Sequence, residues 1–74
     1  MRTTALQFKR ARRIMGWRQP RVAKEIGCSV QTISNLETGR TWSGRGSKLL
    51  TALYIRWGII FEPSGNVYHR LDRP

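Results

Sequence analysis

Two carboxamide side chains, Gln31 and Asn35, stand four residues apart in this chain of 74 residues. A carboxamide carries both an acceptor oxygen and donor hydrogens, so it can bond the N6 and N7 atoms of adenine together. Residues four apart lie on one side of an α-helix, so both amides would point the same way. Ser34 is a further hydrogen-bonding group on that side, and Val30 offers an apolar contact to a thymine methyl. These four residues are candidates for reading base edges in the major groove of DNA.

Two short helices joined by a tight turn, within residues 18–39, would present this face. Apolar residues fall on one side of each: Val22, Ala23 and Ile26 on the first helix, and Ile33 and Leu36 on the second. Gly27 can adopt the left-handed conformation that ends a helix, and Ser29 can cap the next one, which spans about residues 29–37. Both helices must bury one side in the same core, so they cross steeply and leave the second helix's other side outside. The pattern predicts a helix-turn-helix.

The charge of the chain is strongly positive. Lys and Arg number 14 against 4 Asp and Glu, a formal net charge of +10. Basic residues dominate the stretch before the first acid, Glu25: they are Arg2, Lys9, Arg10, Arg12, Arg13, Arg18, Arg21 and Lys24. Such a run can be a solvated helix face, but its lopsidedness favours a nucleic acid or an anionic membrane surface. The apolar runs are far too short to span a bilayer, and we expect a cytoplasmic protein.

Catalytic and metal-binding patterns are missing from the sequence. Its single cysteine, Cys28, allows neither an internal disulfide nor a thiolate cluster, and we interpret it as a core thiol. The only histidine, His69, has no catalytic neighbours at a motif spacing and suits a surface or a strand. The loop over residues 40–47 contains Gly-Arg-Gly but does not match a phosphate-binding loop. We therefore expect no enzyme activity, no cofactor, no metal and no small-molecule substrate.

Two further helices are predicted on either side of this motif. Residues 4–7 fit a capping box that begins helix 1, which runs to Met15. Its inward side consists of Phe8, Ala11 and Met15, with Ile14 beside them. After the loop over residues 40–47, Ser47 would cap helix 4, and Gly58 would end it. The apolar stripe of helix 4 consists of Leu49, Leu50, Leu53, Tyr54 and Trp57.

The segment after Gly58 changes to β-prone residues. Runs over 59–61 and 67–69 flank turn residues at 63–66, which predicts a hairpin or a pair of short strands. A two-stranded ribbon alone is only marginally stable in water. It should therefore lie against the helices or pair with a second subunit, while residues 71–74 fray.

The run G-W-R-Q-P-R-V-A-K-E-I-G-C-S-V-Q-T-I-S-N-L-E-T-G resembles the helix-turn-helix of the phage repressor and Cro-like family, also called the xenobiotic-response-element family. The resemblance extends over about residues 6–53. It implies a mainly α fold, a lambda-repressor-like bundle of four helices, here followed by the short C-terminal β-hairpin or strand pair. It also implies a bacterial or phage-encoded, nucleoid-associated transcriptional regulator that binds double-stranded DNA.

The resemblance also implies roles for individual residues. Gln19 is similar to a glutamine that contacts phosphate and braces the recognition helix. Arg12 and Glu37 match an internal ion pair between helix 1 and the end of helix 3. Arg18 replaces the usual Ser or Thr, so its phosphate contact would be a charged one. The candidate phosphate contacts are Arg18, Gln19, Ser29, Arg40, Thr41, Ser43 and Arg45. Trp42 would pack either along the sugar-phosphate backbone or against the core.

The chain is too short for the fifth helix that often forms the repressor dimer. We expect residues 1–58 to form the DNA-binding domain and residues 59–70 to be a possible dimerisation element. The residues predicted to mediate that dimer are Ile59, Phe61, Val67 and Tyr68. A homodimer would recognise an inverted repeat with half-sites about 34 Å apart. The alternative is the antitoxin of a toxin–antitoxin pair, which an exposed apolar patch around Trp57 and Ile59 would favour.

Overall fold

The computed structural model describes residues 4–40 and 44–72. In these ranges four α-helices precede a two-stranded antiparallel sheet, which confirms the predicted fold class. The helices are α1 (Ala5–Met15), α2 (Gln19–Ile26), α3 (Val30–Thr38) and α4 (Gly44–Arg56). The strands are β1 (Ile59–Phe61) and β2 (Val67–His69), followed by a 3-10 turn (Arg70–Asp72) in part of the tail that was expected to fray.

Helix α1 begins with the predicted capping box. The Thr4 hydroxyl accepts a hydrogen bond from the backbone N–H of Gln7 at 3.2 Å, and the Gln7 Oε1 accepts one from the Thr4 N–H at 2.8 Å. Two N–H groups at the start of the helix are thereby satisfied. Phe8 and Ala11 are fully buried, whereas Ile14 is 40% exposed and does not belong to the inward stripe.

The α2–turn–α3 unit also forms as predicted. Gly27 takes a left-handed φ of 73° at the end of α2, and Ser29 caps α3 by accepting from the Thr32 N–H at 3.2 Å. Val22 and Ala23 of α2 are buried against residues of α3. Cys28 is only partly buried and packs against the core, so it is less enclosed than a core thiol would be.

Helix α4 differs from the prediction at its start and in its inward face. It begins at Gly44, so Ser47 lies inside the helix and is not its cap. Leu50 and Tyr54 are fully buried, whereas Leu49 and Trp57 are 46% and 45% exposed. Successive helical residues point about 100° apart, so Leu49 and Leu50 cannot both face the core. The predicted stripe was therefore too wide.

The β-hairpin packs on the helices of its own chain. Ile59 pairs with His69 and Phe61 with Val67, and the Ile59 and Phe61 side chains are only 2% and 7% exposed. The Phe61 ring makes edge-on contacts with the rings of Phe8 and Tyr54, at centroid distances of 6.4 and 6.3 Å. The prediction that Ile59 and Phe61 contact a second subunit is corrected on this point, because both side chains already lie in the core of the chain.

Candidate nucleic-acid interface

The outer side of α3 carries the four predicted base-reading residues. Val30 is 41% exposed, Gln31 is exposed, and Ser34 and Asn35 are half-buried. The opposite side of α3 is held in the core by its buried apolar residues, Ile33 and Leu36. The helix thus exposes the side that carries the amides.

The two amides are hydrogen-bonded to each other. Gln31 Nε2 donates to Asn35 Oδ1 at 3.0 Å, an i to i+4 bond on the exposed surface. Gln31 keeps its oxygen and one Nε2 hydrogen for another partner, and Asn35 keeps both Nδ2 hydrogens. The pair therefore presents an acceptor and several donors in a fixed order, which is the kind of group that distinguishes base edges.

A buried carboxylate braces the far end of α3. Glu37 accepts from Arg12 Nε at 2.7 Å, from Arg12 Nη2 at 3.0 Å and from Gln19 Nε2 at 3.2 Å. The Glu37 and Arg12 side chains are 2% and 15% exposed, and the bond to Glu37 raises the pKa of Arg12. Arg12 Nη1 also donates to the Trp17 carbonyl at 3.1 Å. The predicted ion pair is present, and with Gln19 it joins α1, α2 and α3.

The candidate phosphate contacts lie at helix ends. Arg18 is the exposed N-cap of α2, and Arg45 is exposed in the first turn of α4. Arg40 is exposed directly after the Gly39 that ends α3. None of the four described helices has an acidic residue in its first turn, so the partial positive charge of the helix N-termini is not neutralised there. Thr41, Trp42 and Ser43 lie outside the described residues.

Two of the candidate phosphate ligands already have intramolecular partners. Gln19 Nε2 bonds Glu37 and keeps one hydrogen for a phosphate oxygen. The Ser29 hydroxyl bonds the Thr32 N–H and also lies 3.0 Å from the Thr32 Oγ1. The sequence interpretation did not include Thr32, although its position three residues after a capping serine was a usable signal. Gln19 and Ser29 therefore each combine a contact within the chain with a position at a helix N-terminus.

An aromatic cluster joins the start of α2 to the end of α4. The rings of Trp17 and Trp57 meet edge-on at 5.3 Å, and the Arg21 guanidinium lies 4.4 Å from the centroid of Trp17. Arg21 also pairs with Glu25 at 3.1 Å. This arginine is therefore held by its own chain, which sequence reasoning did not foresee.

Neither a metal-ligand cluster nor a membrane-spanning helix is found within residues 4–40 and 44–72. No group of three or more His, Cys, Asp or Glu side chains in these ranges could hold a metal ion. None of their helices has the length and apolar character needed to cross a membrane.

Comparison with known families agrees with this geometry. A family model described as Helix-turn-helix, of the xenobiotic-response-element, lambda-repressor-like type, matches residues 8–43. Residues 8–43 therefore form a helix-turn-helix similar to that of this family. Members of the family are DNA-binding transcriptional regulators, and the matched range contains α1 from Phe8 onward, all of α2 and α3, and the Arg12–Glu37 pair. Searches of curated proteins and of solved structures found no match. The hairpin and α4 lie beyond the matched residues.

Proposed function

We propose that this helix-turn-helix protein reads a specific DNA sequence by inserting α3 into the major groove, with α2 crossing the backbone above it. The proposal rests on the Gln31–Asn35 pair, whose two amides are bonded to each other on the outer side of α3. Glu37, on the same helix, is bonded to Arg12 and so fixes α3 to α1. A chain with a net charge of +10 adds the sequence-independent attraction to phosphates that such binding needs.

The two amides read different edges in this proposal. Gln31 retains an acceptor and a donor, which matches the N6 and N7 atoms of adenine. Asn35 has its oxygen engaged by Gln31, so it acts mainly as a donor. It therefore favours an acceptor edge, such as guanine O6 and N7 or thymine O4. Val30 contacts a thymine methyl, and Ser34 adds a hydroxyl beside Asn35.

Phosphate contacts set the affinity and the register. The exposed arginines Arg18, Arg40 and Arg45 and the residues Gln19 and Ser29 form the described part of this set. Thr41 and Ser43 belong to the same proposal from the sequence alone.

We propose a homodimer on an inverted repeat, the arrangement that lets two recognition helices enter successive major grooves. Ile59 and Phe61 are buried in the chain's own core. A dimer through the hairpin would therefore use the strand edges and the half-buried Val67 and Tyr68. The antitoxin alternative rests on an apolar patch around Trp57 and Ile59. Of these two residues Trp57 is 45% exposed and Ile59 only 2%, so Ile59 does not contribute to such a patch, and the regulator proposal has the better support.

Selection of duplexes from a random DNA pool tests the proposal. We expect an enriched palindrome with wild type, together with a dimeric mass in sedimentation at the same protein concentration. Gln31→Ala should lose preference at one base pair per half-site, about 1–3 kcal/mol on the selected sequence, and keep its affinity for random DNA. Arg40→Ala is the control, because the loss of a phosphate contact should weaken binding to the selected sequence and to random DNA alike. Equal losses of Gln31→Ala on both sequences would remove Gln31 from the base-reading set.

A further inference from the structure

A shallow groove of about 280 Å³ runs between the end of α2 and the outer side of α4, apart from the base-reading amides of α3. Its floor and walls are apolar and its rim carries two charged residues: the lining consists of Glu25, Ile26, Leu49, Ala52, Leu53 and Arg56. Leu49 is 46% exposed, whereas Leu53 and Ile26 are half-buried against the core. The groove therefore offers apolar surface that residues 4–40 and 44–72 leave uncovered.

The geometry of α4 suits a helical occupant. Leu49, Ala52 and Arg56 follow one another at i, i+3 and i+7, which places them along one line on the outside of the helix. Apolar side chains of a second helix, spaced at i, i+3 or i+4 and i+7, can pack beside such a line and into the groove. Ala52, the smallest lining side chain, leaves room for the closest approach.

The charge that the groove offers to a partner is positive. Glu25 is the single acid of the lining, and its carboxylate is held by Arg21 at 3.1 Å. Arg56 has no ion-pair partner among the described residues, and Lys48 lies exposed beside Leu49. The groove thus combines an apolar floor with basic residues whose charge no acid among the described residues neutralises.

We propose that this groove binds an acidic amphipathic helix of a partner protein. The apolar side chains of that helix would contact Leu49 and Leu53, and one of its carboxylates would pair with Arg56. A second copy of the chain fits poorly. Antiparallel packing of two α4 helices about Ala52 brings Arg56 of each copy beside Lys48 of the other, and like charges at such contacts repel. DNA fits poorly as well, because a phosphate backbone would cover the apolar floor without filling it.

Peptide display provides the test, with the full-length chain as bait. The library holds random peptides of about 16 residues, roughly 24 Å of helix, and is counter-selected on Leu49→Asp. We expect enriched peptides with apolar residues at helical spacing and with Asp or Glu on the flank. The synthetic consensus peptide should bind wild type and lose about tenfold in affinity or more, roughly 1.4 kcal/mol, on Leu49→Asp and on Arg56→Glu.

Leu71→Asp is the matched control, because Leu71 is 79% exposed and is not part of the groove. It should bind the consensus peptide as wild type does, and all three variants should retain the helical circular dichroism of the folded chain. A consensus peptide with Lys in place of its acids should not bind. The proposal is overturned if no peptide is enriched over the Leu49→Asp counter-selection, or if the enriched peptides lack acids. It is also overturned if Leu49→Asp abolishes self-association of the free chain, since the groove would then belong to a second copy.

Discussion

Arg12 and Glu37 are joined by two hydrogen bonds, from Nε to Oε2 at 2.7 Å and from Nη2 to Oε1 at 3.0 Å, across the contact between α1 and α3. Because the carboxylate is 2% exposed, its charge has little solvent to stabilise it once the guanidinium is removed. The pair therefore holds α3 against α1, and we expect it to contribute to the stability of the chain.

Removal of Arg12 alone should destabilise the chain much more than replacement of both Arg12 and Glu37. We expect Arg12→Ala to lower the free energy of unfolding by about 3–5 kcal/mol, since it leaves a buried unpaired charge. The double variant Arg12→Met with Glu37→Leu should lose less than Arg12→Ala alone. Urea unfolding followed by tryptophan fluorescence measures both. Arg12→Lys is the intermediate case, because it keeps the charge and loses the two-pronged bond. A double variant as unstable as Arg12→Ala would contradict the prediction.

The hydroxyl of Tyr54 is a second buried polar group, and it lacks a hydrogen-bond partner among the described residues. An unsatisfied buried hydroxyl destabilises the folded state, so Tyr54→Phe should leave stability unchanged or raise it by about 1 kcal/mol. Tyr68→Phe, on the half-buried strand β2, is the control and should change stability by less than about 0.5 kcal/mol. A loss above about 1 kcal/mol in Tyr54→Phe would show that the hydroxyl has a partner in solution.

The same tyrosine predicts a pH dependence. Burial, with the nearby Glu37 carboxylate as a smaller cause, raises the pKa of Tyr54 above its ordinary value. As pH rises through about 10, the tyrosine ionises in the unfolded chain and stays neutral in the folded one. The unfolded state then binds fewer protons, so the free energy of unfolding falls with rising pH, by at most about 1.4 kcal/mol per pH unit. Between about pH 9 and about pH 11, the free energy of unfolding should fall more steeply with pH for wild type than for Tyr54→Phe. Parallel curves would contradict this, because all other groups are common to both proteins.

Gly58 and Gly65 form a natural pair for testing the junction between α4 and the hairpin. Both have positive φ, 94° and 99°, but a Cβ on Gly58 would lie 2.8 Å from His69 Nε2, whereas one on Gly65 would meet nothing within 4 Å. The His69 imidazole cannot move away from such a Cβ without losing hydrogen bonds. Its Nδ1 accepts from the Leu71 N–H at 3.1 Å, so Nε2 carries the hydrogen and donates it to the Trp57 carbonyl at 2.9 Å.

Alanine at both glycines meets backbone strain of about 1–2 kcal/mol. Gly58→Ala should lose about 1–2 kcal/mol more than Gly65→Ala, because it also displaces His69 from its hydrogen bonds. Urea unfolding of the two variants measures the difference directly. Equal losses would mean that His69 moves aside without affecting the junction.

The sequence predicted best where a local signal sufficed. The capping box of Thr4 and Gln7, the turn at Gly27 and the Arg12–Glu37 pair all form as expected, because each depends on a short spacing or on a strong family pattern. The start of α4 was missed, since Gly44 and Gly46 have low helix propensity and suggested a loop.

Which side of an element faces the core was the harder question. Alternate residues of a strand share a face, so Ile59 and Phe61 lie on the same side of β1, but the sequence does not show whether that side meets the helices or a second subunit. The structure places it in the core, against Phe8 and Tyr54. The Gln31–Asn35 hydrogen bond could not be predicted from the sequence either, because either amide could have pointed away from the other.

The salt dependence of DNA binding distinguishes the two ends of α4. Arg45 lies in the first turn of α4, and Arg56 is the last residue of that helix, about 16 Å further along. We expect Arg45→Ala to weaken binding to all DNA sequences and to lower the slope of log affinity against log salt by about 0.9, the effect of one lost phosphate contact. Arg56→Ala removes the same charge and should leave that slope unchanged, since Arg56 lies on the rim of the α2–α4 groove. Fluorescence anisotropy with a labelled duplex at several salt concentrations measures both slopes. The same decrease in both variants would mean that only net charge matters, and Arg45 would lose its place among the phosphate contacts.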